Sequence, residues 1–162
     1  MRLVWKDYRD AGPYFVTICV ADRTHLFGEV RDGAMRLNRL GGVVHDEWHR
    51  LPQWNPWVQL DAFEVMPNHV HGIVAIGIDD EPRPGPRPHL GRVVGRFKAA
   101  TAAAINAVRG TPGATVWQRG YYEHFIRNSR AWEAIREYIR ANPSAWARDQ
   151  DNLFDRSPPG RA

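Results

Sequence analysis

The chain has 162 residues, 43% of them apolar, a single cysteine and a formal net charge of +4. That length suffices for one domain with a core that needs no disulfide staples, and Cys19, alone inside the apolar run 15–20, reads as a small core residue of a reducing compartment. No apolar stretch approaches the roughly 18 residues of a membrane helix, and the N-terminus lacks the basic-then-apolar layout of a signal peptide, so a cytoplasmic protein with no membrane partner is expected.

The charge is unevenly placed. Between Arg92 and Arg140 nine arginines and lysines stand against three glutamates, which leaves that stretch at +6 and the rest of the chain at −2. A basic C-terminal half is the footprint of a phosphate-bearing partner.

In chain order, residues 1–12 are polar and irregular, with Trp5 and Tyr8 as possible anchors. The β-branched and aromatic run 13–21 predicts a strand. A second, at 26–30, turns through Arg31-Asp32-Gly33 into a third at 35–37, since Asp-Gly between apolar runs signals a hairpin. Asn38 caps a helix in which Leu40, Val43, Val44, Trp48 and Leu51 recur at helical spacing, and Pro52 ends it. Strands follow at 58–66 and 69–76, joined by Pro67-Asn68. Residues 77–91 are Pro-rich and predict a mobile loop.

A helix over 91–108 turns Val94, Phe97, Thr101, Ala104, Ile105 and Val108 inward. A short strand at 116–118 continues at 122–126, and a last helix, capped by Asn128 or Ser129, runs to Ala141 and stops at Asn142-Pro143. The order β-β-α-β-β-α-β-α predicts an α+β fold: a mostly antiparallel sheet with helices packed on one face, a ferredoxin- or RRM-like sandwich. One domain over 1–148 and a flexible tail at 149–162 complete the plan.

In an extended chain residues i and i+2 share a face. His69 and His71 therefore stand side by side at the start of their strand, while Val70, Gly72 and Val74 face the other way. Two imidazoles on a rigid strand supply half of a metal site. On the last helix Trp132, Ile135 and Ile139 form the buried stripe, and Tyr138 and Asn142 are i, i+4 neighbours at its border. A phenol and an amide oxygen delivered towards the histidines would complete a coherent set: two imidazoles and one carbonyl oxygen for a divalent ion, and one hydroxyl as nucleophile. Tyr121 and Tyr122 are rival nucleophiles, and His124 reads as a strand residue bracing the site through a hydrogen bond.

The segments Met66-Pro67-Asn68-His69-Val70-His71-Gly72-Ile73, Phe97-Lys98, Trp117-Gln118-Arg119-Gly120-Tyr121-Tyr122-Glu123-His124-Phe125-Ile126-Arg127-Asn128 and Tyr138-Ile139-Arg140-Ala141-Asn142-Pro143 occur in this order within about 14–143. In them the chain resembles the REP-associated tyrosine transposases, single-tyrosine members of the HUH (His-hydrophobic-His) nucleases. The resemblance implies cleavage and rejoining of single-stranded DNA at small hairpins through a 5′-phosphotyrosine, with Tyr138 as nucleophile and His69 and His71 holding Mg²⁺ or Mn²⁺. Asn142 takes the place of a polar third ligand that is usually Gln in the insertion-sequence relatives. Arg92, Arg96, Lys98, Arg119 and Arg127 are expected on phosphates and Tyr121 beneath an unpaired base. Relatives include monomers and dimers, and a monomer is favoured. Two other classes stay open on the residues themselves: a non-catalytic single-stranded nucleic-acid-binding module, and a His-ligated metallohydrolase using activated water.

Overall fold

Alternation of inward residues to both sides makes Gly12–Cys19 (β1) a central strand, since Tyr14, Phe15, Val16 and Ile18 are all buried. In the computed structural model, which describes residues 11–149, β1 pairs antiparallel along its length with His69–Ile76 and, on its other side, with Tyr122–Phe125. The strands that follow are Gly28–Arg31 (β2), Ala34–Leu37 (β3), Val58–Met66 (β4), His69–Ile76 (β5) and Tyr122–Phe125 (β6). Four of them form one sheet in the order β4-β5-β1-β6, while β2 and β3 pair only with each other. The turn between β2 and β3 places Asp32 and Gly33 at φ 52° and 73°, the left-handed pair that a two-residue hairpin favours.

The helices are Arg39–His49 (α1), Leu51–Trp54 (α2), Leu90–Arg109 (α3) and Ser129–Asp149 (α4). Asn38 caps α1 as expected, its side chain accepting from Gly41 N at 2.9 Å. One face of the sheet, with Tyr14, Val16, Ile18, Val70 and Val74, packs on Val44 and Trp48 of α1 and on Val93, Val94, Phe97 and Ile105 of α3. Gly72 makes that packing possible, because a Cβ there would lie 2.5 Å from the Trp48 indole. The expected class holds: α+β, an antiparallel sheet with α1 and α3 layered on one face. The other face, with Phe15, Ile73 and Ile126, packs on Ile139 of α4, flanked by Trp132, Ile135 and Tyr138. The odd-numbered residues of β5, His69 and His71 among them, point to this second face.

Four local expectations differ from the structure. Pro52 does not simply end a helix; it occupies the first turn of α2, where a missing N–H is tolerated. Val108 is 37% exposed, and Val93 takes its place on the buried face of α3. Residues 116–118 make only an isolated bridge from Trp117 to Val20, because the Trp117 indole turns into the core and donates to Thr101 Oγ1 at 2.8 Å. The last helix runs through Pro143 to Asp149. Proline forfeits one helical hydrogen bond there, but tertiary packing holds the next turns: Pro143 is buried and Trp146 is 4% exposed.

The 77–91 segment folds back on Trp57, whose indole donates to Gly85 O at 3.0 Å while Arg83 lies 5.7 Å over its ring. The stretch with Trp5 and Tyr8 and the expected tail beyond Asp149 lie outside the described residues. Among the described residues no helix is long and apolar enough to cross a membrane.

Candidate active site

The β4–β5 connection places the histidines. Met66 pairs with His69, so only Pro67 and Asn68 form the turn, and neither has a positive φ. A two-residue hairpin without the left-handed twist needs outside support. It receives that from two backbone donors: Phe27 N to Pro67 O at 3.1 Å and Val20 N to Asn68 O at 2.9 Å. His69 thus sits at the fixed end of the sheet.

Antiparallel register assembles two rows on the α4 face. Tyr122, Thr17, His71 and Glu64 cross the sheet in one, and Cys19, His69 and Met66 in the next. His69 Nδ1 lies 2.7 Å from Asn68 Oδ1, an oxygen that only accepts, so the proton resides on Nδ1 and Nε2 keeps its lone pair. His71 Nδ1 lies 3.3 Å from Thr17 Oγ1. The two Nε2 atoms are 2.9 Å apart. With a lone pair on His69 Nε2, that distance is a hydrogen bond when His71 Nε2 carries its proton.

The imidazoles are 8% and 3% exposed. Burial, reinforced by the neighbouring His71, holds His69 well below the usual histidine range. Burial pushes His71 down to about 4, against a hydrogen bond that the ring donates to the Asn142 amide oxygen, which raises it. Both are therefore neutral near pH 7, the state a metal ligand needs. Two neutral imidazoles this close, with the Asn142 amide beside them, are a donor set that would suit one divalent ion.

From α4, Asn142 bonds His71 and the Tyr138 ring lies 5.6 Å from the His71 ring, edge-on to Phe15. The turns beyond Pro143 bring Trp146 to 6.3 Å from His69 and 5.5 Å from His25. The rival Tyr122 stands two strands from His71, about 10 Å at strand spacing. Tyr121 lies just before β6, its hydroxyl near the first turn of α3 at Gly91; burial and Glu123 push that phenol up. His124 pairs with Phe15, and no hydrogen bond joins it to His69 or His71 among the described residues. Also among the described residues, no group of three or more His, Cys, Asp or Glu side chains stands within metal-holding range.

Of the basic residues, Lys98 is bonded to the loop beside His69 and Arg119 belongs to it, while Arg127, just past β6, lies at the opposite end of β1, where Ile126 N donates to Pro13 O at 2.9 Å. Gln118 N donates to Cys19 O at 2.8 Å, and Cys19 is the partner of His69. Lys98 spends two hydrogen bonds holding this loop, to Gln118 O at 2.8 Å and Gly120 O at 2.7 Å. Arg92, Arg96, Arg119 and Arg127 are exposed, Arg96 lying 5.9 Å over Trp54. Sequence reasoning missed Thr17, Asn68 and Trp146 as neighbours of the pair. Asn68 adjoins His69 and could have been suspected; Thr17 lies 54 residues away and carries no local signal.

The antiparallel sheet thus has a central strand, β5, that begins with a buried His-hydrophobic-His pair and is overlain by the tyrosine-bearing α4. A family model described as IS200-like transposase matches residues 54–142, and the chain belongs to that family. An uncharacterised protein of Haemophilus influenzae is 37% identical over 164 residues, covering 93% of this chain and 90% of its own. Among solved structures, a REP-associated tyrosine transposase bound to a REP hairpin superposes with TM-score 0.59 at 20% identity, over 88% of this chain and 73% of the other. A putative transposase from Deinococcus radiodurans R1 superposes with TM-score 0.51 at 16% identity, over 86% and 96%. At these identities the two structures establish the shared fold.

Proposed function

We propose that the chain cuts and rejoins single-stranded DNA at a hairpin element, with Tyr138 as nucleophile. The observation that carries this reading is the meeting of Tyr138 and Asn142 with His69 and His71 at one end of the sheet, in a chain of the IS200-like family. The hairpin bound by the similar solved transposase supports the choice of substrate.

His69, His71 and the Asn142 amide oxygen would hold Mg²⁺ or Mn²⁺, which when bound polarises the scissile phosphate. Imidazole donors favour Mn²⁺ for the stronger activity. The Tyr138 oxygen attacks phosphorus in line; the Tyr–O–P bond forms as the P–O3′ bond breaks, and the departing 3′-oxygen ends as a hydroxyl. One phosphodiester replaces another, so the step needs no ATP and reverses when a DNA 3′-hydroxyl attacks the phosphotyrosine. Arg92, Arg96, Arg119 and Arg127 hold backbone phosphates. Lys98 shapes the loop that carries Arg119, and Tyr121 offers a stacking surface. A complete residue set on one chain supports action as a monomer.

The test is incubation with Mn²⁺ and a labelled hairpin oligonucleotide, followed by denaturation. A covalent protein–DNA species is expected, lost with EDTA and in Tyr138→Phe. Binding that survives Tyr138→Phe with no adduct under any metal would mean a non-catalytic binding module. Cleavage that survives Tyr138→Phe without a protein-linked product would mean a hydrolase.

A further inference from the structure

The groups on α4 can meet the histidines only if the helix is set at one rotation and one height over the sheet. The apolar contacts of Ile135 and Ile139 are non-directional. A directional contact lies one turn before Tyr138.

The register of β4 against β5 shifts between Leu60 and Phe63, so Asp61 and Ala62 fall in a bulge on the edge strand. A bulge re-aims a side chain, and here it turns Asp61 towards α4. Both carboxylate oxygens are filled. Oδ1 accepts from Arg136 Nε at 2.8 Å and from Ala62 N at 2.6 Å. Oδ2 accepts from Arg136 Nη2 at 2.5 Å and from the Trp132 indole N–H at 3.0 Å. Trp132 and Arg136 are i, i+4 neighbours, so one carboxylate grips two successive turns of one helix face.

The guanidinium is itself held, lying 5.3 Å over the Trp132 ring and pairing through its other terminal nitrogen with Glu133. The ion pair is partly shielded, with side-chain exposures of 28% for Arg136 and 19% for Asp61. A bidentate fork fixes orientation as well as distance. Arg136 precedes Tyr138 by two residues and Asn142 by six, so the helix rotation set at the fork is carried to both.

We propose that Asp61 is a positioning residue for the strand-transfer reaction: from its bulge it locks the rotation and height of α4, so that Tyr138 and Asn142 face the histidine pair. The inference rests on the reading of Tyr138 as nucleophile. A misplacement of about 1 Å at the nucleophile costs on the order of a hundredfold in rate while leaving substrate contacts made elsewhere intact.

The experiment compares the full chain with Asp61→Asn, Arg136→Gln and the double variant, using Tyr138→Phe as the chemical control. In metal-free protein, amide hydrogen exchange is expected to quicken in α4 for Asp61→Asn, with α1 and α3 unchanged. With Mn²⁺ and saturating hairpin oligonucleotide, single-turnover adduct formation is expected to slow by about 10- to 100-fold, oligonucleotide affinity staying within about twofold. The double variant should react no more slowly than the slower single one, as for two residues of one interaction.

Unchanged exchange in α4, an adduct rate equal to wild type, or exchange that quickens equally in α1 and α3 each overturn the positioning role. A wild-type chain that forms no Tyr138-dependent adduct overturns the functional reading instead, and the α4 exchange then still decides whether Asp61 seats the helix.

Discussion

At the scale of single residues, the pair His69 and His71 is made useful by its outer contacts. Asn68 and Thr17 occupy the Nδ1 atoms and turn both Nε2 atoms towards each other. Such partners fix ring orientation and tautomer, and removing one typically weakens metal binding 10- to 100-fold. Thr17→Val keeps the shape of the side chain and removes its oxygen. It should lower Mn²⁺ affinity about tenfold, measured by electron paramagnetic resonance of free Mn²⁺ in a titration, while Thr17→Ser restores it. Equal affinity in Thr17→Val and wild type would show that the Oγ1 contact does not orient His71. Gly72 acts on the opposite side of the same strand: the absent side chain lets Trp48 lie against the sheet, which keeps the histidine strand flat on its core.

At the scale of elements, α4 is the part whose placement matters most, and its attachment is partly electrostatic. The Arg136 hydrogen bond holds the Asp61 carboxyl below the usual carboxylate range. The unfolded chain has an ordinary aspartate, with pKa about 3.9. Folding therefore gains from this carboxylate in full above that value, and the gain is lost as the pH falls through the lower folded pKa. Asp61→Asn should unfold a few degrees below wild type at neutral pH, and the gap between their melting temperatures should close as the buffer is taken below about pH 4. A gap that persists undiminished in acid would mean that asparagine disturbs the bulge itself and not the charge pair.

At the scale of the whole molecule, the helical layer and the sheet end cooperate. Lys98 on α3 ties down the 118–120 loop, and that loop is bonded to β1 beside His69. Arg119, exposed on that loop, thereby borders the candidate site, while Arg127 lies past the far end of β6. Each phosphate contact on a single strand contributes about 0.7 to the slope of log affinity against log salt. Arg119→Ala and Arg127→Ala should each reduce that slope by about this amount and weaken binding evenly across sequences, read by fluorescence anisotropy over a salt series. A loss confined to one oligonucleotide sequence would assign the residue to base recognition.

What the chain's own order of residues determined was local and periodic. The pattern in 58–76 set both strands of the β4–β5 hairpin to the residue, the Asp32-Gly33 pair set the turn between β2 and β3, and Asn38 set the start of α1. His69 and His71 shared a face because strand geometry allows nothing else. Tertiary structure decided what lies between distant segments. It carried α4 past Pro143, since burial of Trp146 against His69 outweighs one lost helical bond. It set Thr17 on His71 and Asp61 on Arg136 through register and a bulge, contacts 54 and 75 residues apart that leave no trace in local spacing. The histidine pair was legible because its two members are neighbours along one strand; its surroundings were not, because they are neighbours only in space.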